Sequence, residues 1–159
     1  MQFLVSRRST CRRLNAAECE HGYMGTANAT QQRLTDLRNA LLRLHKTLLD
    51  SEQRVYEHDV QRINSRGQLL HLVMSDPWFA YLHELSEMVV HIDETAEATE
   101  PPPREADANR LVARARALVT PAEEGTGFAK RYFEALQNYP DVVMAHSDTL
   151  RVLERLAHP

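Results

Sequence analysis

The sequence predicts an all-α fold, a helical bundle of about four to five mostly up-and-down helices. Three observations carry that prediction. Leu34, Leu37, Leu41, Leu44 and Leu48 recur at alternating steps of three and four, the period of one helix face. Trp78, Leu82, Leu85, Val89 and Ile92 form a second such stripe. Phe79, Tyr81, Met88 and Val90 widen it past half the circumference, so this second helix must be surrounded by others. Finally, the 159 residues hold only five glycines, and Leu, Ala, Glu and Arg fill the stretches between the breaks.

Taken in order, residues 1–27 read as a flexible, basic N-terminal arm. Arg7, Arg8, Arg12 and Arg13 lie there without interleaved aromatics, which makes a poor nucleic-acid signature, and Met24 is an alternative start. Residues 28–159 read as one bundle domain. Asn28 or Thr30 is expected to cap a first helix over residues 30–64, ended by Gly67 in a left-handed cap, with a kink allowed near Asp50 and Ser51. Its leucine seam extends through Ser51 and Val55 to His58. Residues 68–75 form a turn or two of apolar helix. Asp76 and Pro77 then open the central helix over residues 77–94, because proline suits a first helical turn and aspartate caps it. Trp78 should be buried at its start. The joint between the two long helices is short, which makes them antiparallel.

Residues 95–106 contain three consecutive prolines and read as an extended linker. Beyond it, Asp107 caps a helix with Leu111, Ala115 and Leu118 on one face. A glycine turn leads to a helix with Phe128, Tyr132, Phe133 and Leu136. A last helix carries Val143, His146, Leu150 and Leu153.

Composition bounds the function. The net charge of −3 is too small to imply a polyanion partner. No apolar run nears the roughly 20 residues of a membrane span. Cys11 and Cys19, without a secretory leader, fit a reducing compartment, so a cytoplasmic bacterial protein is the expectation. In that setting the Asn28-Ala29-Thr30 sequon carries no weight.

Few residues suggest chemistry. His83, Glu87 and His91 share one helix face at four-residue spacing, with Glu94 following. Imidazole and carboxylate are ligands for zinc or iron, yet His83 and His91 stand ~12 Å apart along the axis, too far for one ion. An exposed polar ridge is the plainer reading. His58 and His146 each continue an apolar seam and offer a second pair of candidate metal ligands, against which stands burial of each with its own hydrogen-bond partner. Gly125-Thr126-Gly127 with Lys130 and Arg131 resembles an anion cradle but has no preceding strand and no fingerprint.

The expected function is therefore non-enzymatic: a helical interaction or oligomerisation protein with leucine to spare on its first helix. No cofactor is expected. The alternative is a bundle that holds a metal or small ligand through the seam histidines. Self-association or a protein partner is expected, without specific nucleic-acid or membrane binding.

Overall fold

The computed structural model describes the backbone from Ala16 to His158 and the side chains from Asn28 to His158. The arginines and Cys11 of the expected arm lie outside the described residues, as does the Cys19 side chain. Among the described residues there are six α-helices, one 3-10 turn and no strand. They are α1 (Ala16–Asp59), α2 (Arg66–Ser75), a 3-10 turn (Ala80–Leu82), α3 (His83–Glu97), α4 (Glu105–Leu118), α5 (Gly127–Asn138) and α6 (Pro140–Ala157).

Helix α1 departs from its expected limits at both ends. It begins at Ala16, so Asn28 and Thr30 lie inside the helix and cap nothing. Once a helix is nucleated, each added residue gains a hydrogen bond at little cost, and alanine- and glutamate-rich sequence propagates it without an apolar stripe. It ends at Asp59, and no break occurs at Asp50 or Ser51. At about 1.5 Å per residue it is ~66 Å long. The chain is then free to restart at Ser65, whose hydroxyl accepts the Gln68 N–H at 3.1 Å. Gly67 therefore falls in the first turn of α2 instead of capping α1.

Side-chain ties fix the directions. Gln31 donates to the Ala96 carbonyl at the end of α3, while Trp78 and Tyr81, just before α3, reach Glu52 far along α1. Arg33 meets the Leu156 carbonyl at the end of α6, and Arg54 meets Asp141 at its start. Thus α3 and α6 both run antiparallel to α1. These two helices make its most extensive contacts; α4 packs on α1 and α6, and α5 on α6 and the 3-10 turn.

The core lies between them. Leu34, Leu37, Leu41, Leu44 and Leu48 are fully buried, together with Leu82, Leu85 and Ile92, and Val89 is nearly so. Trp78 is only half-buried. The central helix also starts later than expected. Asp76 accepts the Trp78 N–H at 2.9 Å, and i→i−3 bonds then wind the chain through Leu82 before α3 begins at His83. Such winding has three residues per turn, so Phe79 and Leu82 share the buried side and Trp78 and Tyr81 share the next one.

Two later helices differ in detail. Asp107 does not precede α4 as its cap. It sits in the first turn and accepts the Arg104 N–H at 2.9 Å, which, with Arg110 beside it, holds its carboxyl below the usual range. In α6 the buried face is Val142, Thr149, Leu153 and Leu156, and Val143 is exposed. Two adjacent valines left the register open by one residue. The inward choice follows Tyr139, whose carbonyl accepts the Val142 N–H at 3.0 Å and sets the first turn.

Candidate functional site

The polar groups of the fold gather in three places: a junction at Glu52, a scatter of half-buried histidines, and the outer face of α2 and α3.

Glu52 is 6% exposed. It stands five turns of about 3.6 residues beyond Leu34, on the same buried face. The Trp78 indole N–H donates to one carboxylate oxygen at 2.8 Å and the Tyr81 hydroxyl to the other at 2.9 Å. Arg131, from α5, lies 3.4 Å from the first oxygen. Its guanidinium also sits 5.7 Å and 5.3 Å from the Trp78 and Tyr81 ring centres, within cation–π range. Burial, and then the Glu52 charge, push the Tyr81 hydroxyl far above its ordinary pKa, so it stays a donor. Aromatic packing continues on both sides, from Trp78 to Tyr56 at 5.7 Å and from Phe128 to Tyr132 at 5.1 Å. Both carboxylate oxygens are engaged by the chain itself. The junction therefore ties α1, the 3-10 turn and α5 together, with at least one donor on each carboxylate oxygen.

A second carboxylate answers the glycine turn. Gly127 has φ of +57°, and Glu84 of α3 accepts the Phe128 N–H at 3.3 Å. The place for an anion at the start of α5 is filled by the protein's own glutamate.

The candidate histidines separate. His58 is exposed and pairs with its neighbour Asp59 at 2.5 Å, so its placement in the seam is corrected. A seam repeating every 3.5 residues drifts by ~20° per heptad on a helix of 3.6, and after Leu48 the buried face passes to Glu52 and Tyr56. His146 is half-buried with Nδ1 2.7 Å from the Tyr132 hydroxyl. These two seam candidates thus have separate partners. His83 bonds the Val73 carbonyl at 2.7 Å, whereas Glu87 and His91 face outward. Among the described residues, no group of three or more His, Cys, Asp or Glu is placed to hold a metal ion.

His45, absent from the expected candidates, is held through Nε2 by the Ser86 hydroxyl at 2.9 Å. Burial, and then nearby His83, lower its pKa; burial alone lowers that of His146. Both favour the neutral ring in the folded state. Below about pH 6.5 the unfolded chain then binds more protons than the folded one, so stability falls as pH drops through that value. Urea midpoints between pH 7.5 and 5.5 should show this loss, and the His45→Gln/His146→Gln variant should lose less. An equal loss in the double variant would assign the pH dependence to other groups.

On the outside, α2 and α3 enclose a groove of about 480 Å³, lined by Val73, Met74, His83, Ser86 and Val90 among others. Met74 is 71% exposed and Val90 54%; Leu70, one turn before Met74, is 61% exposed. Leu42, on α1, is 39% exposed. It lies between Arg38 and His45, whose partners Asp93 and Ser86 bracket Val90. Nothing in the sequence pattern separated these side chains from core residues, since an apolar residue on a half-buried helix reads the same either way.

No family model matches the chain, and no curated protein or solved structure matches it either. Among the described residues, no helix is long and apolar enough to cross a membrane.

Proposed function

We propose that this chain is a non-enzymatic helical interaction protein that self-associates through the outer face of α2 and α3. The observation that carries the reading is that Met74 and Val90, both largely exposed, line one open groove together with Val73, and that exposed Leu70 stands one turn before Met74 on α2. Single exposed apolar residues are ordinary, but a contiguous set around a concave surface is the usual mark of a contact site. The interior supports the same reading. Glu52 is engaged by structural bonds, and His58 and His146 each have a partner of their own, which favours this reading over a ligand held between those two.

In this reading the helices form a mostly up-and-down bundle with the proline-rich segment as spacer, and the expected arm over residues 1–27 is cut back, because α1 already begins at Ala16. The compartment is cytoplasmic, on the strength of a sequence with only two cysteines. The partner is a protein surface, not nucleic acid or membrane.

Light scattering across a hundredfold range of concentration tests the proposal. The wild-type mass should rise to a multiple of 18.2 kDa. Met74→Asp/Val90→Asp should remain monomeric with unchanged helicity. A wild-type mass fixed at that of one chain would sink the reading.

A further inference from the structure

The outer face of α3 carries charge in an order that selects its own partner. His83, Glu87, His91 and Glu94 follow one another along the helix, base and acid in alternation, beside Val90. Glu87, His91 and Glu94 are all exposed. Among the described residues none of those three side chains has an ion pair or hydrogen-bond partner, while Arg38, Lys46, Arg54 and Arg131 are all paired. Arg114 of α4 borders the same side near Glu87 and His91.

Reversed end to end, the order His-Glu-His-Glu becomes Glu-His-Glu-His. A two-fold axis lying between two facing copies of α3, perpendicular to both, reverses one copy and keeps its charged flank on the same side. In that arrangement His83 faces Glu94 of the other copy, and Glu87 faces its His91. The His91 imidazole, free of other partners, can donate an N–H to the Glu87 carboxylate in either protonation state, whereas His83, whose Nε2–H is given to the Val73 carbonyl, reaches Glu94 as a donor only through Nδ1 of the protonated ring. A parallel two-fold pairing would carry the two charged flanks to opposite sides of the helix pair, where none of these contacts forms. The apolar side chains agree with the antiparallel choice, because Val90 lies close to the midpoint of the charged run and meets its counterpart near the axis.

We infer that the partner of the α2–α3 face is a second copy of this chain, docked antiparallel along α3 with Glu87 of each protomer against His91 of the other. This rests on the self-association proposed above and specifies its geometry.

Charge exchange tests the register directly. Glu87→Lys places a cation against His91, and His91→Glu places an acid against Glu87. Each should weaken the dimer about tenfold or more, since both symmetry-related contacts are lost. The double variant Glu87→Lys/His91→Glu sets the introduced lysine of one copy against the introduced glutamate of the other. It should return within roughly threefold of wild type. Mixing the two single variants should yield a heterodimer in which one contact pairs the introduced lysine with the introduced glutamate and the other keeps the native residues. Sedimentation velocity reads all four cases, with circular dichroism as a check on folding. If the single variants dimerise like wild type, or if neither the double variant nor the mixture recovers, the register is wrong. Should Met74→Asp/Val90→Asp still dissociate the protein in that event, the face stands and only the geometry falls. A wild-type chain that never dimerises overturns both.

Discussion

Glu52→Ala is expected to destabilise the protein by roughly 2–4 kcal/mol, measured by urea denaturation, although a change from a charged residue to alanine raises helix propensity. The loss comes from what the carboxylate leaves behind. The Trp78 N–H and Tyr81 hydroxyl lose acceptors in a place where little water can replace them. Arg131 is 40% exposed, so its charge keeps solvent and adds little to the cost. Glu52→Gln should fall between the two, because the amide oxygen accepts one of the two donors and its NH2 group opposes the other. A loss under half a kcal/mol for alanine would mean that the junction is not closed in solution.

Leu85→Ala is expected to cost about 2–5 kcal/mol, the range for a large-to-small change at a fully enclosed site. Leu85 is the first buried position of regular α3, one turn after Tyr81, and the neighbouring helices hold it on every side. The loss combines removed transfer energy with a cavity that the surrounding helices close only in part. Val90→Ala on the same helix is the control. It lies on the open side and, measured at a dilution where the chain is monomeric, should change stability by less than about 0.5 kcal/mol. Equal losses at the two positions would contradict the assignment of inner and outer faces on α3.

The helical class and the leucine seam were legible because period and hydrophobicity coincide there. Leu34 to Leu48 are apolar, spaced at three and four, and short enough for drift between heptad and helix to stay small. The same rule failed at His58, where the accumulated rotation had moved the buried face to Glu52 and Tyr56. Glu52 escaped because a charged side chain is read as solvent-facing unless its partners are known, and they lie on two distant segments. The 3-10 turn escaped because a run such as Trp78, Phe79, Tyr81 and Leu82 fits three or 3.6 residues per turn equally well. The outer groove depended on which apolar residues found neighbours, a property of the assembled helices and not of their spacing.

Trp78 is the only tryptophan in the chain. With a carboxylate on its N–H and a guanidinium over its ring, its fluorescence responds to the Glu52 junction far more than to the leucine interior. An optical signal recorded at one locus and a circular dichroism signal summed over all helices therefore watch different parts of the molecule. Where the two unfolding curves coincide, the junction and the helices are lost in a single cooperative step. Where the emission changes first, the indole is reporting a loosened hinge between α1 and α5 while the long helices still stand.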